Sequence, residues 1–251
     1  MNPSVVIDCF PSSVSKYGEE YAIVAIDVIR ATTSAITAVL AGHRCFPAAT
    51  LEDAHNLRHR IGNALLAGEL SGDIPPGFDL NNSPAQLAEL EADDRSIVLL
   101  STSGTQLMCL AGAHEGAYVA GLRNHTAVAE AIVGRHEKIA IIGAGSRNEF
   151  REEDQVCCAW IADVLINSGY SPENGSTTEL VRRWRGTSPE AWLVSNSVKY
   201  LRRTGQLADL EFILTHIDDV DSAFVMRDGE VAAAETTDFA CAAPQYGHVA
   251  A

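Results

Sequence analysis

The stretch Tyr21 to Asp27, YAIVAID, is an apolar run with no polar alternation that ends on a carboxylate. A strand of this kind folds only where both of its faces are covered, which constrains the chain toward a buried sheet. Arg30 follows, and then Thr32, Thr33 and Ser34 carry the hydroxyls of a helix start. One loop thus receives an acid and a guanidinium just ahead of a helix. In open α/β sheets ligands bind beyond the carboxyl ends of strands, where the helix start offers free N–H groups to an anion. A metal and phosphate site fits this pattern, and so does a plain turn or N-cap role for Asp27.

Three further strand ends carry related chemistry. Ala64 to Ala67 runs into Gly68-Glu69, Ile97 to Leu100 into Ser101-Thr102-Ser103-Gly104-Thr105, and Ile139 to Ile142 into Gly143-Ala144-Gly145. If these strands are parallel neighbours, all four ends meet along one edge of the sheet. Strands are also expected at Val5 to Cys9, Arg44 to Pro47 and Ala117 to Ala120, with helices between most of them. A helix from Thr32 to Ala41 stops at Gly42, Thr50-Leu-Glu-Asp53 has capping-box spacing, and Ser83-Pro84 pairs an N-cap with proline at the first helical position. The fold class is therefore α/β, a three-layer α/β/α arrangement with a largely parallel or mixed sheet. Helical patterning from Glu153 to Ser168, Thr177 to Arg185 and Pro189 to Gly205 forms a helical C-terminal portion, with a short helix or strand near Leu210 to Leu214. Ala223 to Ala232 reads as a terminal hairpin turning at Arg227-Asp228-Gly229-Glu230, and the Ala-rich end from Ala233 as a loose tail.

At 251 residues the chain is long enough for a substantial core, and it is read as a single domain over 1–251. Its formal net charge of -15, from 18 basic and 33 acidic residues, repels nucleic acid. An anionic substrate would need a local positive field in this acidic chain. No apolar run approaches the roughly 20 residues that span a bilayer, so no membrane is expected as a partner. The N-terminus lacks a signal-peptide pattern and the six cysteines read as reduced, which places the chain in the cytoplasm.

The long loop Gly68 to Pro84 contains Glu69, Asp73, Asp79, Asn81 and Asn82, and its Phe78 and Leu80 imply that it packs down. Glu69 is the leading candidate there, because it directly follows a strand as Asp27 does. Ser101 to Thr105 offers hydroxyls and amides ahead of a helix, either as an oxyanion nest or as simple capping. No GxxxxGK[ST] motif is present. If a helix already includes Glu149, then Glu149, Glu152 and Glu153 lie at i, i+3 and i+4; with Asp154 they form an acidic cluster relieved by a cation or by the helix dipole. Cys157-Cys158 lacks metal-ligand spacing and is read as core. The histidines form no HExxH pattern, and GxSxG is absent.

Together AIDVIRATTSAITAVLAG, LLAGELSGDIPPGFDLNNSPAQL, LLSTSGTQLM and EEDQVCCAWIADVL resemble, in order and spacing, the 2-phosphosulfolactate phosphatase family. DVIRATT and GFDLNNSP are the most specific parts. The resemblance implies a magnesium-dependent phosphatase of α/β/α architecture that hydrolyses 2-phosphosulfolactate or a related phosphorylated hydroxyacid. It places Mg²⁺ on Asp27 and Glu69, assisted by Glu153 or Asp154, with Asp27, Arg30 and Glu69 as the catalytic set. Thr32, Thr33, Asn82, Ser101, Thr102, Ser103, Gly104 and Thr105 would line the substrate, a small phosphorylated anion. Asp27 would act either as nucleophile or beside a metal-activated water. A homo-oligomer, a dimer, is expected. Three positions depart from the family pattern: Leu70 stands where Arg is usual, Ser103 where Asn is usual, and Cys157-Cys158-Ala159 replaces Cys-Ala-Gly. Loss of the Arg removes a fork suited to phosphate or sulfonate, a role that Arg147 is placed to fill. Another metal-dependent enzyme on this scaffold, such as a lyase or isomerase, and a silent binding protein are the competing readings.

Overall fold

The computed structural model describes residues 2–235. Ten strands form one mixed sheet: β1 (Ser4–Cys9), β2 (Tyr21–Ile26), β3 (Cys45–Ala48), β4 (Ala64–Gly68), β5 (Ser96–Leu100), β6 (Ala117–Ala120), β7 (Lys138–Gly143), β8 (Ser171–Pro172), β9 (Phe224–Arg227) and β10 (Glu230–Ala233). The helices are α1 (Ala31–Leu40), α2 (Leu51–Ile61), α3 (Pro84–Ala88), α4 (Gly104–Ala111), α5 (His125–Ile132), α6 (Glu152–Asn167), α7 (Gly175–Trp184), α8 (Asn196–Arg203) and α9 (Leu207–Thr215).

The strand order is β4-β5-β3-β10-β9-β6-β2-β7-β1-β8. β6, β2, β7, β1 and β8 are mutually parallel, and so are β4, β5 and β3. The hairpin expected over Ala223 to Ala232 forms, and it lies in the middle of the sheet. It pairs antiparallel with β3 on one side and β6 on the other, so the two parallel blocks run in opposite directions. The four strand ends therefore do not belong to one parallel set. They still converge, because the start of α4 after β5 rests against Asp27 at the end of β2, and the turns after β4 and β7 line the same cavity.

Alternation along the strands supplies both faces of the sheet. Ile23, Ala25, Ile97 and Leu99 enter a central cluster with Ala35, Ile36, Leu107 and Met108 of α1 and α4. On the opposite face, Val24 and Ile26 pack with Val156, Cys157, Cys158 and Ile161 of α6, while Val98 and Leu100 pack with Ala54 of α2. Helix layers cover the sheet on both sides, and the paired cysteines are core as expected.

Local signals hold at several ends. Thr50 Oγ1 accepts from Asp53 N at 3.1 Å, and Ser83 Oγ accepts from Gln86 N at 3.2 Å ahead of Pro84. The turn Asp228-Gly229 has φ of 51° and 79°, as a two-residue hairpin turn requires. The helix expected over Pro189 to Gly205 is broken, because Ser195 caps a new start by accepting from Val198 N at 3.2 Å. The segment near Leu210 is helix α9. The loose tail expected from Ala233 falls, from residue 236 onward, outside the described residues.

Candidate active site

Asp27 sits at the carboxyl end of β2, and α1 begins after a tight turn that its neighbours brace. Thr32 Oγ1 accepts from Asp27 N at 2.9 Å and donates to Asp27 O at 2.8 Å, while Thr33 Oγ1 donates to Val28 O at 2.9 Å. Both hydroxyls are fully buried and neither lines a cavity. A similar closure holds the next block: Ser101 N donates to Thr105 Oγ1 at 2.9 Å and Thr105 N to Ser101 Oγ at 3.0 Å. Thr32, Thr33, Ser101 and Thr105 thus shape the turns, and Thr102 and Ser103 are the hydroxyls left facing outward.

A cavity of about 510 Å³ opens where these turns meet, and Asp27, Arg30, Glu69, Asn82, Thr102 and Ser103 are among its lining residues. Arg147 and Asp154 line it as well. Glu69 is held by three donors: Thr102 N at 2.7 Å, Thr102 Oγ1 at 3.1 Å and Gly72 N at 2.6 Å. Asp154 accepts from Val28 N at 2.9 Å, tying the first turn of α6 to the residue after Asp27. Helix α6 starts at Glu152, so Glu149 lies outside it and the i, i+3, i+4 arrangement is not formed. Glu153 is buried off the cavity wall, and its Oε2 has no hydrogen-bond partner.

Burial pushes the Asp27 carboxyl up to about 7, with Glu69 and Glu153 adding to the rise; the Ala31 amide and Arg30 oppose it. Asp154 is raised as well, by burial first and then by Asp27 and Glu153. Several carboxylates thus face one another with their charge only partly balanced. Among the described residues, no group of three or more His, Cys, Asp or Glu is arranged as a metal cage. The donor set suits a hard cation held by one or two carboxylates with several waters, as Mg²⁺ is.

Arg30 is buried in a network reached by no local pattern. Its Nη1 donates to Asp209 of α9 and to Gln206, and its Nη2 to Asn81 Oδ1 at 3.1 Å. Asp209 in turn accepts from Ser83 Oγ and from Ala85 N at 3.3 Å. Asp209 went unnoticed in the sequence because it sits more than 170 positions from its partner on an ordinary-looking helix. Arg151, Lys199 and Arg203 also line the cavity without having been singled out. Two contacts bring α8 to the rim: Tyr200 Oη donates to Gly72 O at 2.8 Å, and Asn196 Nδ2 to Glu149 at 2.9 Å. The only local signal for α8 was its basic, helical pattern.

Among the described residues no helix is long and apolar enough to cross a membrane. The family model for 2-phosphosulpholactate phosphatase matches residues 9–228. A protein of Deinococcus radiodurans named as a probable 2-phosphosulfolactate phosphatase is 34% identical over 197 residues, 74% of this chain and 80% of that protein. One of the same name from Symbiobacterium thermophilum is 31% identical over 196 residues, 75% and 84% of the two chains. Another from Carboxydothermus hydrogenoformans is 33% identical over 151 residues, 60% of this chain but 63% of that relative's length. With the match running from the end of β1 through β9 and taking in every strand end that lines the cavity, the chain belongs to the 2-phosphosulfolactate phosphatase family.

Proposed function

We propose that this chain is a Mg²⁺-dependent phosphatase that hydrolyses a small phosphate monoester, 2-phosphosulfolactate or a related phosphorylated hydroxyacid. One observation carries the reading: a chain of net charge -15 gathers Asp27, Glu69 and Asp154 in a single cavity with Arg30 and Arg147. Such a site attracts a phosphate against the field of the whole protein and keeps carboxylates beside it. The names of the relatives point the same way.

Asp27 and Glu69 would hold the metal, with waters filling its other positions, and Mg²⁺ when bound would supply charge neutralisation for the transferring phosphoryl group. Arg30, fixed by Asp209, Gln206 and Asn81, would reach the phosphoryl oxygens only through the N–H groups that these partners leave free. Ser103 and the first amides of α4 face the same oxygens. Asp27 has two possible roles. As nucleophile its carboxylate forms an O–P bond while the ester O–P bond breaks, and water then cleaves the acyl phosphate; as base it takes a proton from the attacking water. The working unit is proposed to be a homodimer, which sedimentation checks. The function is tested by a phosphate-release screen over phosphorylated hydroxyacids with and without Mg²⁺. Released phosphate that requires the metal supports the reading, whereas conversion of such substrates without phosphate release would replace it by a lyase or isomerase.

A further inference from the structure

Two groups of cations line the cavity. Beside Asp27, Arg30 is already neutralised by Asp209, both side chains being almost fully buried. Arg147, Arg151 and Lys199 gather around Glu149, and Arg203 lies over Tyr200 on the same helix as Lys199. Arg151 combines two features there. Its side chain is nine-tenths buried, and although Nη1 donates to Glu149, its Nε is buried without a hydrogen-bond partner. A guanidinium N–H left unpaired at such depth is costly unless an anion meets it. Lys199 and Arg203 sit four residues apart on α8, on the side that Tyr200 holds against Gly72.

We infer that Arg151, supported by Lys199 and Arg203, forms a second anion seat that reads the acid group at the non-reacting end of the substrate. This rests on the phosphatase reading and adds which residues select the ester: one bearing a sulfonate or carboxylate beyond its phosphate. A guanidinium takes a sulfonate or carboxylate through two parallel N–H bonds, and the two ammonium and guanidinium groups of α8 add field without fixed geometry.

Three esters separate the outcomes: 2-phosphosulfolactate, with sulfonate and carboxylate; 2-phospholactate, with carboxylate alone; and glycerol 2-phosphate, with neither. In Arg151→Gln the kcat/KM ratio of 2-phosphosulfolactate to glycerol 2-phosphate is expected to fall roughly ten- to a hundredfold, mainly through KM. Arg203→Gln, at a more exposed position, should lower the ratio less, and Arg151→Lys should restore part of it. The 2-phospholactate ratio tells whether sulfonate or carboxylate is read. Binding of sulfolactate, which has no phosphate, is measured alongside by calorimetry and should weaken in Arg151→Gln. If no ester releases phosphate but sulfolactate binding still depends on Arg151, the seat stands and the phosphatase reading falls. If phosphate is released but neither the ratio nor sulfolactate binding responds to Arg151 and Arg203, the seat is overturned. An equal loss on all three esters would also overturn it.

Discussion

Gly104 lies so close to Asp27 that a Cβ added to it would stand 2.0 Å from Asp27 Oδ2 and 2.5 Å from the Ala31 Cβ. The start of α4 therefore rests directly on the carboxylate that ends β2. Gly104→Ala should displace Asp27 and lower kcat by about a hundredfold, the scale expected for a misplacement near 1 Å. Overpacking should also destabilise the fold by about 1–3 kcal/mol. Phosphate release and thermal melts measure both, and a folded variant with wild-type turnover would show that the contact has no catalytic consequence.

Asp27→Asn should abolish phosphate release while stabilising the metal-free chain. The folded-state carboxyl titrates at about 7 against its ordinary value of 3.8, so the folded chain holds this proton more tightly than the unfolded one. Stability from this group is therefore highest in acid and falls as pH rises through about 4 to about 7. Removing the charge should raise the melting temperature in EDTA at about pH 8, by up to a few kcal/mol of stability, and change little at about pH 4. A lower melting temperature at the higher pH would mean that the carboxylate stabilises the fold.

EDTA should eliminate turnover, and Mg²⁺ or Mn²⁺ should restore it. Glu69→Gln should move the Mg²⁺ activation curve to higher concentration, because one anionic ligand fewer weakens a hard-cation site. If only KM for the ester rises and the metal curve stays in place, Glu69 serves the Thr102 and Gly72 turn rather than the metal.

Asp209→Ala should leave the Arg30 guanidinium buried and uncompensated. Breaking a pair of this kind costs about 3–5 kcal/mol, which in a chain of this size is a fall in melting temperature on the order of 10 °C. Arg30→Lys should keep more stability yet lose much of the rate, since a point charge cannot reproduce the planar fork that meets Asp209, Gln206 and Asn81. Unchanged kcat/KM in Arg30→Lys would make Arg30 a structural residue.

As cavity-lining positions Asp27 and Glu69 were legible because each stands where an apolar run stops, a signal set by burial and independent of the rest of the chain. Thr32, Thr33, Ser101 and Thr105 were harder to read, since a hydroxyl that closes a turn and one that faces a phosphate occupy the same kind of position. The convergence of the strand ends was anticipated for a simpler reason than the actual one: nothing near Ala223 indicates that its hairpin inserts between β3 and β6. Arg151, Lys199, Arg203 and Asp209 became visible only through docking of α8 and α9 against turns far away in the chain, which no local periodicity encodes.

The central place of β9 and β10 also bears on how the chain is made. Until residues 224–233 have left the ribosome, β3 and β6 each present an open edge, and the two blocks have no hydrogen-bonded seam between them. Vectorial synthesis thus yields two half-sheets first, with sticky flanks exposed to neighbouring nascent chains, and the last strands act as a zip that joins them.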